Sequence, residues 1–258
     1  MMRHYSSQIF YIKRYRLLYL SILIISLAYF VRVFYYFDNP IQWRDSYFYK
    51  EIIETWEDKK EYPSKDRYGQ ENIIPPFPLY IFMLMHKMTG KSIFLSNVAL
   101  QIVLGSISIL FLWLILNEIR IGIIPSILIS LIGAFHKSLL DFSTQITRDN
   151  LYVFFCSLLI FFFIKYLKRK SLFYSFVLGI LISLICLVRY EGAEFLLILP
   201  IILFFQKKIS IKRKLISILL IYSAFCITFL EISQITTPHR SVLKAIHIKF
   251  RSYYNDII

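Results

Sequence analysis

Long apolar runs separated by short polar stretches organise this chain, and their lengths predict membrane spans rather than core helices. The runs cover residues 17–37, 93–116, 123–135, 151–164, 172–188, 195–205 and 215–230. They are continuously apolar instead of alternating, which argues against a membrane β-barrel. Lys13, Arg14 and Arg16 precede the first run, so the N-terminus is expected in the cytoplasm and the segment 39–80 outside. Within that segment Phe48, Tyr49, Ile52, Ile53 and Trp56 recur at helical spacing, while Lys50, Glu51, Glu54 and Glu57 occupy other faces. This pattern predicts an amphipathic helix lying on the membrane surface. Residues 62–71 read as polar and turn-rich, and Pro75, Pro76 and Pro78 then open a second apolar helix over 79–88.

Ten residues are too few to cross a bilayer, and the placement of 79–88 decides the topology of everything after it. At the external surface, it leaves the basic loops 165–170 and 207–214 both cytoplasmic. As a crossing helix, it would put both outside, against the positive-inside bias. The expectation is therefore an all-α polytopic membrane protein of seven spans, N-terminus inside and C-terminus outside. One membrane domain comprises a first span (17–37), an external loop with interfacial helices (38–92), six further spans (93–230) and an external tail (231–258). In the tail, Lys244, Lys249 and Arg251 among apolar residues suggest another interfacial helix.

Composition agrees with this pattern. The chain is 57% hydrophobic with a mean hydropathy of +0.60, beyond what a soluble domain needs. The net charge of +14 would suggest nucleic acid in a soluble protein. Here the Lys and Arg residues lie in short loops, no nucleic-acid motif is present, and anionic lipid headgroups are the better partners. Cys156, Cys186 and Cys226 fall inside apolar runs and read as buried free thiols. The N-terminal apolar run lacks a small-residue cleavage site and reads as an anchor rather than a signal peptide. Arg32, near the outer end of the first span, is expected to snorkel to the interface, the alternative being contact with a lipid phosphate.

Polar residues concentrate after the first span. Nine of the sixteen acidic residues lie there: Asp38, Asp45, Glu51, Glu54, Glu57, Asp58, Glu61, Asp66 and Glu71. The predicted topology brings three clusters to the external face: Arg44-Asp45, Arg148-Asp149-Asn150 and Arg189-Tyr190-Glu191. Such a set suits transfer from a phosphate leaving group. A carboxylate takes a proton from an acceptor hydroxyl, and guanidinium groups hold the departing phosphate. The plainer alternatives are helix capping by Asp45, Asp149 or Asn150 and a simple Arg189–Glu191 pair at a span end. His86 and Lys91, after the second apolar helix, are expected in the solvated interface, within reach of a headgroup.

The order RDSYFY, PPFPLYIFMLMHKMTGKS, ITRDNLYVFF and RYEGAEFLLILP resembles the GT-C class of membrane glycosyltransferases. That class includes protein O-mannosyltransferases, lipid A aminoarabinose transferase and the oligosaccharyltransferase catalytic subunit. The resemblance covers most of residues 17–230 and implies a sugar transferred from a polyprenyl-phosphate donor to a glycan, lipid or protein acceptor on the external face. Asp45 matches the family's first-loop carboxylate, the general-base position. Asp149 matches a second-loop acidic position that binds a divalent metal in some members, although here it stands beside Arg148 rather than a second acid. The substrate-binding candidates are Arg44, Arg148, Asn150, Arg189, Tyr190 and Glu191. Larger members continue with more spans and often a soluble external domain, so a minimal transferase and a truncated inactive copy both stay open. The other readings are a transporter or flippase for a lipid-linked saccharide and an envelope polymerase or ligase of another class. An integral multi-pass location is expected, in the plasma membrane if the source is bacterial.

Overall fold

A computed structural model describes residues 2–63 and 74–236, with side chains from residue 15 onward. The described chain is helical throughout: α1 (Met2–Asp38), α2 (Arg44–Lys59), α3 (Pro76–Thr89), α4 (Ile93–Glu118), α5 (Ile123–Phe135), α6 (Lys137–Thr144), α7 (Arg148–Arg169), α8 (Leu172–Val188), α9 (Phe195–Phe204) and α10 (Ile211–Thr236). A short 3-10 turn, Tyr190–Glu194, joins α8 to α9. The turn-rich stretch expected at 62–71 lies largely outside the described residues, with Asp66 and Glu71, as does the tail helix expected around Lys244, Lys249 and Arg251.

Among the described residues, four helices are long and apolar enough to cross a membrane: α4, α7, α10 and the Tyr15–Asp38 part of α1. The pair α5 and α6, bent by 53° at His136, supplies a fifth crossing if counted as one. Length and composition thus account for four or five of the seven expected spans. The shortfall lies in α8, with 17 residues, and α9, with 10. At 1.5 Å per residue, α9 reaches only about 15 Å, half the hydrocarbon thickness. Between the apolar runs 123–135 and 151–164, a stretch with no predicted element folds its first part into α6.

Exposed apolar side chains on α1 (Leu18, Ile22, Leu23, Phe34) and α10 (Leu219, Ile227, Leu230) form the surface that a bilayer would solvate. Cys186 is buried and Cys156 half-buried, but Cys226 is exposed on this apolar face of α10. The expectation of three buried thiols is corrected there: an apolar run marks contact with lipid as readily as contact with protein.

Packing is closest between α8 and α10. A Cβ on Gly179 would come within 2.4 Å of the Ile221 carbonyl oxygen and 2.7 Å of Ala224 Cβ, so only glycine permits this approach. The apolar face of α2 (Tyr49, Ile52, Ile53, Trp56) is buried as its spacing predicts, but against Leu79, Phe82 and Met83 of α3 and Ile93, Val98 and Ile102 of α4. That face is therefore spent on protein instead of lipid. Likewise α3 is no bare surface helix, because Asn97 Nδ2 on α4 donates to Phe82 O at 3.1 Å across a buried contact.

The basic loops meet at one end of the bundle. Glu118 closes α4 against Lys165 and Lys168, with Lys168 Nζ 2.8 Å from Glu118 Oε2, and Lys170 Nζ donates to Lys208 O at 2.7 Å. The start of α2, the start of α7 and the end of α8 meet at the other.

Arg32 departs from expectation. It does not snorkel; its side chain is 1% exposed and packs inward between α1, α4 and α6. Gly105 makes this possible, since a Cβ there would lie 2.7 Å from Arg32 Nε and 2.6 Å from Ser143 Cβ.

Candidate active site

The first and second polar clusters, about 100 residues apart in sequence, are tied together by buried hydrogen bonds. Ser46 Oγ on α2 accepts from Ile146 N at 3.1 Å and lies 3.3 Å from Ile146 O. The Gln145 side chain accepts from Trp43 N at 2.6 Å and donates to Ile41 O at 3.0 Å. Gln42 Nε2 adds a bond to Thr144 O at 3.2 Å. From the other side, Gln101 Nε2 of α4 donates to Thr147 O at 2.6 Å, and Asn150 Nδ2 donates to both Gln101 oxygens at 2.8 Å. The strand-like stretch 145–147 is thereby clamped between α2 and α4, and α7 starts from it in a fixed direction.

The third cluster joins through charge. Arg189 Nη1, just past the end of α8, pairs with Asp149 Oδ1 in the first turn of α7. Its Nε lies 3.8 Å from Glu191 Oε2, and its guanidinium sits over the Tyr152 ring at 5.5 Å from the centroid. The two sides of the Arg189–Asp149 pair are 32% and 30% exposed, so water reaches the pair and the Coulomb energy is screened.

Tyr49 of α2 stands at the focus of these groups. It is 6% exposed, and burial pushes its phenol up to about 12; Arg148 and Arg189 act to lower it, Asp149 and Asp45 to raise it. Four of the eight residues singled out from sequence therefore act on one buried hydroxyl.

Each of the eight has a definite place. Asp45 is exposed in the first turn of α2 and is not its cap, a position Trp43 holds without a side-chain bond. Arg44 beside it is also exposed. Asp149 and Asn150 do not cap α7 either, since Thr147 occupies that position. Asn150 is buried and committed to Gln101, so it braces the site from below. Tyr190 is 5% exposed and Glu191 half-buried in the 3-10 turn. His86 and Lys91 lie apart from this cluster: His86 contacts Lys91 O at 2.6 Å and lies 3.8 Å from Glu57, which also pairs with Lys87.

Sequence reasoning missed Tyr49, Tyr152, Gln101, Gln145 and Ser46 as members of the site. Tyr49 was legible only as one residue of an apolar face, and the polar three carry no motif.

No three His, Cys, Asp or Glu side chains come together as a metal site among the described residues. Asp149, the carboxylate expected from the resemblance at a metal-binding position, is engaged by Arg189. The donor set among the described residues does not fit a divalent ion.

A family model described as dolichyl-phosphate-mannose-protein mannosyltransferase matches residues 74–232, more than half of the chain. No curated protein matches it. The matched segment contains Arg148, Asp149, Asn150, Arg189, Tyr190 and Glu191, and it begins after Asp45.

Proposed function

The chain belongs to the dolichyl-phosphate-mannose-protein mannosyltransferase family, membrane glycosyltransferases of GT-C type, and from that membership we propose that it transfers a sugar from a polyprenyl-phosphate donor to an acceptor hydroxyl. The site is the cluster around Tyr49, at the end of the bundle opposite the basic loops. In this reading the protein is a multi-pass membrane enzyme with its site on the external face, and its acceptor is an envelope glycan, lipid or protein.

The observation that carries the reading is the joining of the three clusters: buried bonds hold the start of α2 to residues 145–146, and Arg189 pairs with Asp149 in the first turn of α7. Arg189 is matched by Asp149 and Glu191 and serves to fix Asp149. Arg148 and Arg44 have no ion pair among the described residues and are the cations available to a donor phosphate. Asp45, exposed in the first turn of α2, is the general base. The acceptor oxygen bonds to the anomeric carbon while the bond from that carbon to the phosphate oxygen breaks. The hydroxyl proton passes to Asp45, and polyprenyl phosphate leaves with the bonding electrons, its new charge held by the guanidinium groups.

The test is transfer from a radiolabelled polyprenyl-phosphate sugar in membranes expressing the chain. Asp45→Asn is expected to lower the rate by roughly 100-fold or more, the general range for a positioned base, with expression intact. Wild-type activity in that variant would remove Asp45 from the mechanism. No transfer by wild type from any polyprenyl-phosphate sugar would remove the reading.

A further inference from the structure

Arg32 is a buried charge that the transfer mechanism does not use. Its Nη1 donates to Ala28 O at 2.9 Å within its own helix. Its Nε–H has no acceptor, and no carboxylate pairs with it among the described residues. Asp141 on α6 is already taken by the Tyr35 hydroxyl. A guanidinium shut away from water without a counter-charge is among the most costly arrangements in a membrane helix, and such residues mark binding sites.

The charge borders a cavity of about 170 Å³ whose walls include Gly105 and Ser108 of α4, Leu139 of α6, and Asn150 and Ser157 of α7. At about 30 Å³ per water, that is room for roughly five waters or one oxyanion of phosphate size. The other polar groups in the wall have spent their donors. Asn150 is bonded to Gln101, Ser108 to Leu104 O at 2.9 Å and Ser157 to Val153 O at 2.8 Å. The Arg32 guanidinium, with Nη1 bonded to Ala28 O in its own helix, is therefore the donor group left for a ligand. One cation without a second calls for a ligand with one negative charge. Gly105 keeps the geometry open, because any side chain there would strike the same Nε.

We propose that the Arg32 cavity is a binding site for a single phosphate-type oxyanion, separate from the Arg148–Arg189 cluster and sharing only the Asn150 wall with it. The anion comes from a phospholipid headgroup or from free phosphate. The inference does not depend on sugar transfer.

The full chain would be purified in a neutral detergent and examined in two arms. Native mass spectrometry reads a retained phospholipid, and thermal unfolding against added inorganic phosphate, at ionic strength held constant with chloride, reads the free ion. A retained phospholipid supports the headgroup source, and a saturable rise in unfolding temperature supports free phosphate. In either arm Arg32→Gln should weaken binding roughly 10- to 100-fold, the range of one charge-assisted hydrogen bond, whereas Arg148→Gln, which removes a cation the other cluster offers to a phosphate, should leave it unchanged. Gly105→Ala, which keeps the charge but displaces Nε, should weaken it too and replaces Arg32→Gln if that variant does not fold. A wild type that retains no phospholipid and ignores phosphate overturns the proposal. So does binding that survives both Arg32→Gln and Gly105→Ala.

Discussion

Replacing Ser46 by alanine removes the single hydroxyl that locks the first polar segment to the second. Ser46 and Ile146 are both fully buried, and the Ile146 N–H donates to Ser46 Oγ at 3.1 Å. The variant leaves that amide buried without its acceptor, which costs about 1–3 kcal/mol, and loses the bond made by the hydroxyl proton, about 1 kcal/mol more. The sum, about 2–4 kcal/mol, corresponds to a fall in Tm of roughly 4–16 °C for a chain of this size. Thermal unfolding in detergent, followed by intrinsic fluorescence, reads the change. Ser106→Ala is the matched control: Ser106 is equally hidden but bonds only to Ile102 O in its own helix, at 2.7 Å. Its loss should cost less than about 0.5 kcal/mol. Because Ser46 touches no reacting group, transfer should fall with stability and recover at lower temperature. Equal Tm values for Ser46→Ala and Ser106→Ala would refute the claim that this hydroxyl holds the two segments together.

Asp149→Asn and Arg189→Gln should be coupled in a double-mutant cycle by about 1 kcal/mol, a modest value because both side chains are about one-third exposed; a coupling of zero would mean that the pair does not persist in solution. Tyr49 gives a pH prediction. Its phenol titrates near 12 when folded and near 10 when unfolded. The unfolded chain therefore releases the proton first, and stability falls as pH rises from about 10 through 12. Tyr49→Phe should remove that part of the alkaline loss, seen as a smaller drop in Tm between pH 9 and 12 than in wild type. An unchanged drop would place Tyr49 in contact with water.

Much of the architecture was written in the hydrophobic pattern. The long helices α1, α4, α7 and α10 follow uninterrupted apolar runs, and α2 buries the residues its helical spacing picks out. The order of the three polar clusters also anticipated their meeting, since each lies where an apolar run ends. What joins them was not legible. Gln101, Gln145 and Ser46 are single polar residues without a motif, and their partners lie 46 to 104 residues away in sequence. The helix α6 was hidden because KSLLDFST is short and mixed in polarity. Arg32 was misread because distance from a span end says nothing about which way a long side chain turns; the glycine that receives it lies on another helix. Cys226 was misread for a related reason, as apolar neighbours do not distinguish lipid from core.

Cysteine accessibility in intact cells tests the central claim, one external face shared by the polar clusters, most directly. Single cysteines at Asn39, Tyr47 and Glu194, all exposed at the cluster end, and at Arg120 and Lys207, exposed at the basic end, would be placed in a background lacking Cys156, Cys186 and Cys226. A membrane-impermeant thiol reagent should label the first three from outside and the last two only after permeabilisation. Labelling of Tyr47 from outside with Glu194 reached only from the cytoplasm would contradict it, because the Arg189 cluster would then lie on the far side of the membrane from Asp45.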